Sequence, residues 1–451
     1  MKAKLIKNIS FLHTMDKERN VLENASVLIE GGFIKRINPS KEEIPQTAEI
    51  INADGFMFAP GMINCHHHFC QTLTRNVPHV HNAKLFDWLV FLYTKWQNFT
   101  PEGLANAATI AALELIKTGC TTSVDHYYCV PNNDNSFFDA EIEGVAQTGL
   151  RFHMCRGSMS LSEKDGGLPP DIVVQKDDEI LRHSKELVEK YHNPDIGSML
   201  RIILAPCTLF TNTKECLSET KILADQLGVQ CHTHLAETMD EEEFCVEKLG
   251  MRPFEFIEEV GWSDRNCFYA HSIYLNGREI KEMANKGAGA CHCPTSNMRL
   301  GSGIAPVVPM MREGVNVALG VDGSASNDSS NMIAEARQAM LLQRVKYGEY
   351  SFEGIDAWVL ATNGGAAVLE RDDIGSIEEG KCADMIGFKL DRLEFAGGLH
   401  APPFLPIFCN AGYVDFSMIN GEVLIEDGRF IKIDPLPFIN KQNQFAKKLL
   451  E

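Results

Sequence analysis

Short apolar runs alternate with longer amphipathic stretches through the middle of the chain. Eight of these runs have the length and composition of strands, and amphipathic patterns such as residues 101–119 and 180–192 lie between them. The predicted strands are 56–65, 121–128, 150–157, 199–207, 229–237, 266–272, 287–294 and 316–323. Strict alternation of strand and helix predicts a (β/α)8 TIM barrel. An open doubly wound sheet is the alternative, which the lack of a glycine-rich phosphate loop after the first strand disfavours.

The two ends of the chain have a different pattern, in which short strand runs are joined by tight turns. Residues 25–39 place a Gly-Gly pair between two strand runs, and residues 413–431 contain Asn-Gly and Asp-Gly turns. We therefore predict a small β-sandwich domain, assembled from residues 1–58 and from residues 376–451 with their C-terminal segment. The barrel then occupies residues 59–375.

Composition and charge narrow the class of protein. The chain has 451 residues, 44% hydrophobic and 23% charged, which is ordinary for a globular protein with a large core. Its 61 acidic and 42 basic residues give a net charge of -19, which disfavours binding to a nucleic-acid polymer. Without a signal-peptide pattern or a long apolar run, we expect no membrane association and a cytoplasmic location. The 14 cysteines lack scaffold spacing, which indicates buried free thiols.

Histidines stand at the carboxyl ends of the first and fifth predicted strands. Because alternate residues of a strand share a face, His66 and His68 are expected to point into the barrel while His67 points away. A surface histidine cluster is the alternative for this run. In the fifth strand His234 takes the equivalent end position, and His232 lies one pleat deeper as a supporting, substrate-contacting or packed core residue.

The sixth and eighth predicted strands also end in polar groups, at His271 and Asp322. A lone aspartate at such a position often caps the next helix. Four strand ends with histidine or aspartate indicate a shared site instead, because catalytic groups of this fold gather at that face. The predicted metal ligands are His66, His68, His234 and Asp322. Three imidazoles and a carboxylate are typical of a catalytic zinc site, so we expect one Zn2+ per chain, with Fe2+ as the alternative.

The same residues carry a resemblance to a known family. The run Pro60–Asn64 before the histidines, the motif of residues 234–237, His271 and Asp322 resemble the amidohydrolase superfamily, and residues 380–384 are similar to its exit from the barrel. The resemblance spans essentially the whole chain and implies a metal-dependent hydrolase. A catalytically inactive scaffold of the same fold is disfavoured, because every expected ligand is present.

Longer strings resemble the deaminase and triazine-hydrolase branch of that superfamily, and within it the deaminases that act on 8-oxoguanine. These strings are residues 66–75, 85–89, 156–160, 297–303 and 322–328. The resemblance implies hydrolytic removal of an exocyclic amine from a small flat heterocycle, with 8-oxoguanine giving urate and ammonia. Isoxanthopterin, isocytosine, guanine and triazines that lose chloride or an amine are the alternative substrates.

The resemblance also implies catalytic roles. Glu237, three residues after His234, is typical of the deaminases and is expected to protonate the ring nitrogen of the substrate. His271 is expected to orient the attacking water, and Asp322 is expected to take its proton.

Three residues are candidates for substrate binding. Gln71 follows the first strand and carries both a donor and an acceptor, and Arg156 ends the third strand. Trp88 lies in the aromatic stretch 85–96. The alternatives are a salt bridge for Arg156, and for the stretch a packed helix or a subunit interface. We expect a homo-oligomer, a dimer or larger.

Overall fold

A computed structural model describes residues 2–451 of the chain. The strands are β1 (Lys4–His13), β2 (Val21–Glu30), β3 (Phe33–Ile37), β4 (Glu49–Asn52), β5 (Phe56–Pro60), β6 (Met62–Asn64), β7 (Cys120–Tyr127), β8 (Arg151–Ser158), β9 (Leu200–Pro206), β10 (Cys231–Leu235), β11 (Cys267–His271), β12 (Gly289–His292), β13 (Val317–Leu319), β14 (Met385–Lys389), β15 (Phe416–Ile419), β16 (Glu422–Glu426) and β17 (Arg429–Phe430). Strands β6 to β13 form a closed parallel barrel, in which Leu319 pairs with Asn64 to close the ring. The predicted TIM barrel is confirmed.

Both ends of the chain build a second sheet beside the barrel. Strands β1–β5 and β14–β17 form nine hydrogen-bonded strands in the order β17-β16-β15-β14-β5-β1-β2-β3, with β4 paired to β1. The two halves meet where β14 runs antiparallel to β5, with Phe388 opposite Met57. The Gly-Gly turn between β2 and β3 is present, with φ of 60° at Gly31 and 91° at Gly32. This sheet, assembled from both termini, is the predicted appendage of the barrel.

The predicted first barrel strand, 56–65, is two strands in the structure. β5 belongs to the terminal sheet and β6 to the barrel, and the chain changes partners at Gly61. A Cβ at Gly61 would lie 2.0 Å from Thr121 Oγ1, so only glycine permits this close crossing. Barrel pairing ends at Asn64, so His66 and His68 lie in the loop beyond the strand. Hydrophobicity alone does not reveal a change of partner within an apolar run.

Helices and short turns cover the outside of the barrel. The helices are α1 (Leu85–Trp96), α2 (Pro101–Lys117), α3 (Ser136–Ala146), α4 (Asp177–Tyr191), α5 (Lys214–Leu227), α6 (Met239–Phe244), α7 (Pro253–Glu259), α8 (Gly277–Lys286), α9 (Pro294–Arg299), α10 (Val307–Glu313), α11 (Met332–Tyr347), α12 (Gly354–Ala361), α13 (Asn363–Val368), α14 (Leu405–Phe408) and α15 (Leu436–Leu450). α2 and α4 match the predicted helices to within three residues at each end. Among residues 2–451, none of the helices has the length and apolar character needed to cross a bilayer.

The aromatic stretch of residues 85–96 forms α1 and packs within the chain. Trp88, Tyr93 and Trp96 are 3%, 1% and 1% exposed. These rings are therefore not a free surface, so they give no support to a subunit interface at this helix.

Two carboxyl groups are buried together between the barrel and α3. Asp125 of β7 and Glu141 of α3 are both fully buried. Burial raises the pKa of Asp125 to about 7, and hydrogen bonds from Glu141 and from the Phe69 N–H, which donates to Asp125 Oδ1 at 2.5 Å, oppose that rise. Burial raises the pKa of Glu141 well above its ordinary value, and the neighbouring Asp125 raises it further. Glu141 is therefore the protonated member of the pair.

Replacing Glu141 with Gln should flatten the pH dependence of stability. A carboxyl whose pKa is raised by folding contributes full stability below its unfolded pKa of 4.5, and this contribution is lost as pH rises toward the folded pKa. The loss is about 1.4 kcal/mol per pH unit in that window, and glutamine does not ionise. Thermal unfolding at pH 5 and pH 8 measures the effect, so Glu141→Gln should gain stability relative to wild type at the higher pH.

The matched control is Glu143→Gln, an exposed position on the same helix, which should leave the pH dependence unchanged. Equal pH slopes for wild type and Glu141→Gln would show that Glu141 does not hold the proton of the pair.

Candidate active site

Three imidazoles and one carboxylate converge at the carboxyl mouth of the barrel. His66 Nε2 and His68 Nε2 each lie 3.4 Å from Asp322 Oδ1. His68 Nε2 lies 3.2 Å from His234 Nε2. All four side chains are buried. The structure thus brings together the four residues that were predicted as metal ligands.

The hydrogen bonds of two imidazoles fix their tautomers. His68 Nδ1 donates to the carbonyl of His126 at 2.7 Å, and His234 Nδ1 donates to the carbonyl of Cys207 at 2.6 Å. Because a carbonyl only accepts, each Nδ1 carries the proton and each Nε2 presents a lone pair. The two Nε2 lone pairs therefore face each other across 3.2 Å, where they repel unless a cation binds both.

The remaining donor atoms agree with a cation at this point. His66 Nε2 is buried and has no hydrogen-bond partner among residues 2–451. Burial lowers the pKa of His66, His68 and His234, which keeps these imidazoles in the neutral form that binds metals. Burial acts to raise the pKa of Asp322, but interactions with His66, His271 and His68 together outweigh it and hold that pKa well below its ordinary value. An open set of three imidazoles and a carboxylate fits a catalytic divalent metal ion.

His271 and Glu237 stand next to this ligand set. His271 Nε2 is 3.7 Å from Glu237 Oε2 and 3.9 Å from Asp322 Oδ2, and its Nδ1 lies 2.8 Å from Asn297 Oδ1. Burial raises the pKa of Glu237 to about 7, with His271 opposing and Asp322 adding to the rise. Glu237 is therefore able to hold a proton near neutral pH and to give it away, as a general acid must.

A second glutamate, which the sequence reasoning missed, holds the backbone around Glu237. Glu241 Oε2 accepts the Glu237 N–H at 2.8 Å, and Glu241 Oε1 accepts the Ala236 N–H at 3.1 Å. Glu241 lies in the first turn of α6, one helical turn after Glu237. Its position next to a short strand end is the only sequence signal that could have found it.

The backbone is strained where two of the site residues leave their strands. His271 has φ of 70° and Asp322 has φ of 62°, a left-handed conformation that residues other than glycine, asparagine and aspartate seldom adopt. Such a conformation costs on the order of 1–3 kcal/mol and persists only where the surrounding structure enforces it. Positive φ also occurs at residues outside the site, such as Met15 and Glu370, so this conformation alone does not mark the functional residues.

A small pocket with an aromatic lining lies over these groups. Besides the ligands His68, His234 and Asp322, it is lined by Gln71, Leu85, Trp88, Leu89, Tyr93, Tyr128, Cys207, Thr208, Phe210, Glu237, His271, Leu300 and Ser326. Trp88 and Gln71, both predicted to bind substrate, are in this lining. Cys207 and Thr208 directly follow the fourth barrel strand, so the strand-end rule could have found them. Phe210 and Leu300 lie farther along their loops and had no such signal.

The orientation of Gln71 is fixed by its neighbours. Gln71 Oε1 accepts the backbone N–H of Ala325 at 3.3 Å, and the Trp88 indole N–H donates to the carbonyl of Ala325 at 3.3 Å. The Gln71 amide oxygen is thereby engaged, and its NH2 group is the part that remains for a ligand. A Cβ at Gly323 would lie 1.8 Å from Gln71 Oε1, so glycine at this position lets the side chain pack there.

The expectation that Arg156 contacts a substrate needs correction. Its guanidinium lies 4.8 Å from the Phe138 ring centroid of α3, and it donates to the carbonyl of Gly157 at 2.7 Å and to Gln175 Oε1 at 2.8 Å. The preceding residue, Cys155, packs inside the barrel, and strand alternation therefore turns Arg156 outward. Arg156 does not line the pocket.

Comparison with known proteins places the chain in a family. Residues 57–424, more than half of the chain, match the amidohydrolase family. The chain belongs to the amidohydrolase family.

Individual relatives extend this result and identify the chain as a hydrolase. It is 41% identical over 433 residues to the 8-oxoguanine deaminase of Pseudomonas aeruginosa, covering 96% of each chain. It is 32% identical over 443 residues to the hydroxydechloroatrazine ethylaminohydrolase of Pseudomonas sp. strain ADP, covering 94% of this chain and 91% of the relative. The solved structure of atrazine chlorohydrolase from Arthrobacter aurescens TC1 complexed with zinc matches with a TM-score of 0.94 at 28% identity, covering 98% and 99% of the two chains.

Replacing Arg156 with Met should reduce stability and leave substrate affinity unchanged. The change removes the guanidinium and leaves the Gly157 carbonyl and Gln175 Oε1 without their donor. The loss should lower the free energy of unfolding by about 1–3 kcal/mol. Thermal unfolding and the Michaelis constant for a small-molecule substrate measure the two effects. Gln71→Leu is the contrasting variant, with a raised Michaelis constant and a smaller change in stability. A large rise in the Michaelis constant of Arg156→Met would show that Arg156 contributes to substrate binding.

Proposed function

We propose that the chain is a metal-dependent deaminase that hydrolyses 8-oxoguanine to urate and ammonia. The observation that carries this proposal is the placement of Glu237, a buried carboxyl with its pKa raised to about 7, within 3.7 Å of His271 beside the ligand set. A ring that loses an amine needs a proton donor at this place. The 41% identity to an 8-oxoguanine deaminase over 96% of both chains supports the choice of substrate.

In this proposal His66, His68, His234 and Asp322 hold one zinc ion per chain. Ferrous iron suits the same ligands. When bound, the ion supplies Lewis acidity that activates water as a nucleophile at neutral pH.

The remaining chemistry is proton transfer by side chains of the chain. Asp322 accepts the proton of the attacking water through Oδ2, which lies 3.9 Å from His271 Nε2 and accepts the Ser326 hydroxyl at 3.2 Å. His271 holds the water in place through Nε2, while its Nδ1 stays bound to Asn297. Glu237 protonates the ring nitrogen next to the amine-bearing carbon, so that negative charge does not build up on the ring. Water adds at that carbon, the amine takes up a proton, and the carbon–nitrogen bond breaks to release ammonia.

The pocket suits a flat ring with a carbonyl oxygen. Trp88, Tyr93, Tyr128 and Phe210 provide aromatic surface for a planar heterocycle. The Gln71 NH2 group, whose oxygen is engaged by Ala325, is a donor that a ring carbonyl accepts. An 8-oxopurine carries such carbonyl groups, whereas a chlorinated triazine carries none.

Hydrolysis of an amino-substituted triazine is the second candidate. The 32% identity to an ethylaminohydrolase over 94% of the chain favours it over other amine substrates. The same groups would serve, since an alkylamine also leaves from a protonated ring.

A substrate panel tests the proposed function. The zinc-loaded protein should release ammonia from 8-oxoguanine faster than from guanine, isocytosine, isoxanthopterin or an aminotriazine. The measurement is coupled ammonia detection, with urate followed by its absorbance. Faster release of an alkylamine or chloride from a triazine would overturn the choice of substrate. A protein that binds zinc but turns over none of these compounds would overturn the deaminase proposal.

Glu237→Gln should lower kcat by about 10²- to 10⁴-fold and leave the bound metal in place. The amide keeps the shape of the side chain but has no proton to give to the ring. Ammonia release and metal content after dialysis measure the two effects. Glu243→Gln, an exposed change on the adjacent helix α6, is the matched control and should behave as wild type. Near wild-type turnover in Glu237→Gln would contradict the proton-donor role.

A further inference from the structure

His66 is held differently from the other two imidazole ligands. His68 and His234 use Nδ1 to donate to backbone carbonyls, whereas His66 Nδ1 lies 2.8 Å from Nε2 of another imidazole, His232. His232 Nδ1 in turn lies 2.9 Å from the carbonyl oxygen of Phe268. His66 and His232 are both fully buried, with no solvent exposure. The contact chain therefore runs from a backbone carbonyl through two imidazoles to the ligand set.

The fixed acceptor at one end determines every proton in this chain. The Phe268 carbonyl only accepts, so His232 Nδ1 carries a proton. A neutral imidazole that carries its proton on Nδ1 has a lone pair on Nε2, so His232 Nε2 is an acceptor. His66 Nδ1 must donate to it, which leaves the lone pair on His66 Nε2, the atom 3.4 Å from Asp322 Oδ1.

We propose that His232 is a positioning residue that fixes His66 in the tautomer able to bind the metal. This inference rests on the metal site proposed above. A partner on the outer nitrogen of a ligating histidine orients the ring and raises its basicity. An imidazole nitrogen is a stronger acceptor than a carbonyl oxygen, so His232 polarises the His66 Nδ1–H more than a backbone carbonyl would.

The chain of hydrogen bonds from the Phe268 carbonyl through His232 to His66 is a relay that also determines how many metal ions the barrel histidines hold. Ligand atoms of His66, His126 and His232 lie within 4.8 Å of one another, deeper in the barrel than the ligand set. A metal bound by these three residues would need a lone pair on His66 Nδ1. In the relay this nitrogen carries a proton and has no lone pair to offer. The relay therefore keeps the deep cluster free of metal and gives one ion per chain.

The test is His232→Leu, which fills the same buried space with an apolar side chain and removes the acceptor of the His66 Nδ1 proton. His66 then has no partner to hold its Nδ1 proton, so Zn2+ affinity should fall by about 10- to 100-fold. Competition with a chromophoric chelator measures the affinity of the purified full-length protein. The visible absorption of the Co2+-substituted protein should also change, because the geometry at His66 is no longer fixed.

Two further variants separate the relay from a loss of packing. His232→Gln places an amide that accepts from His66 and donates to Phe268, so it should recover most of the lost Zn2+ affinity. His292→Leu removes another fully buried barrel imidazole, which makes no hydrogen bond among residues 2–451, and should leave Zn2+ affinity at the wild-type value. Thermal unfolding of each variant records how much stability each change removes.

The outcomes distinguish the relay from the proposed function. Wild-type Zn2+ affinity and an unchanged Co2+ spectrum in folded His232→Leu would overturn the relay and leave the deaminase proposal intact. If His232→Leu does not fold, the glutamine variant decides, and a loss of Zn2+ affinity there of 10-fold or more would overturn the relay. Two ions per wild-type chain would also overturn it. A wild-type protein that binds no divalent metal would instead refute the proposed site itself.

Discussion

The geometry of the site depends on hydrogen bonds that fix the outer nitrogen of each imidazole at the barrel mouth. Carbonyls of His126 and Cys207 accept from His68 and His234, so the inner nitrogens are left with lone pairs only 3.2 Å apart. Those carbonyls belong to neighbouring strand ends, and the closed barrel sets where they lie. The arrangement is unfavourable without a cation and favourable with one, so the ligand set suits a divalent metal ion.

Burial acts to raise the pKa of both carboxyl groups of the site, and their neighbours give them opposite properties. Glu237 has little compensation for its burial, so its pKa rises to about 7, whereas Asp322 is held ionised by the histidines around it. Two groups of the same chemistry thereby differ in protonation within reach of one imidazole, as the proposed reaction requires of its acid and its base. His271 and Asp322 both have positive φ where they leave their strands, at 70° and 62°.

Predictions from the sequence were accurate where they rested on hydrophobic periodicity or on residues at strand ends. They were less accurate where the direction of a side chain decided whether it lines the pocket. Trp88 and Gln71 were found because they follow a strand end or lie in an aromatic stretch, and both line the pocket. Arg156 also ends a strand, but strand alternation turns it outward to Phe138. The phase of that alternation depends on which residues fill the barrel, and a strand that is buried along its whole length and mixes polar with apolar residues does not display it.

The sequence by itself determined the alternation of strands and helices, the β-rich character of both chain ends, and the residue types at the strand ends. These are local properties, set by hydrophobic periodicity and turn residues. Only the tertiary structure decided which nitrogen of each histidine faces the site, that Glu241 supports Glu237, and that His232 lies against His66. These contacts join residues that different strands and loops bring together, and the direction of a hydrogen bond depends on the partner that the fold supplies.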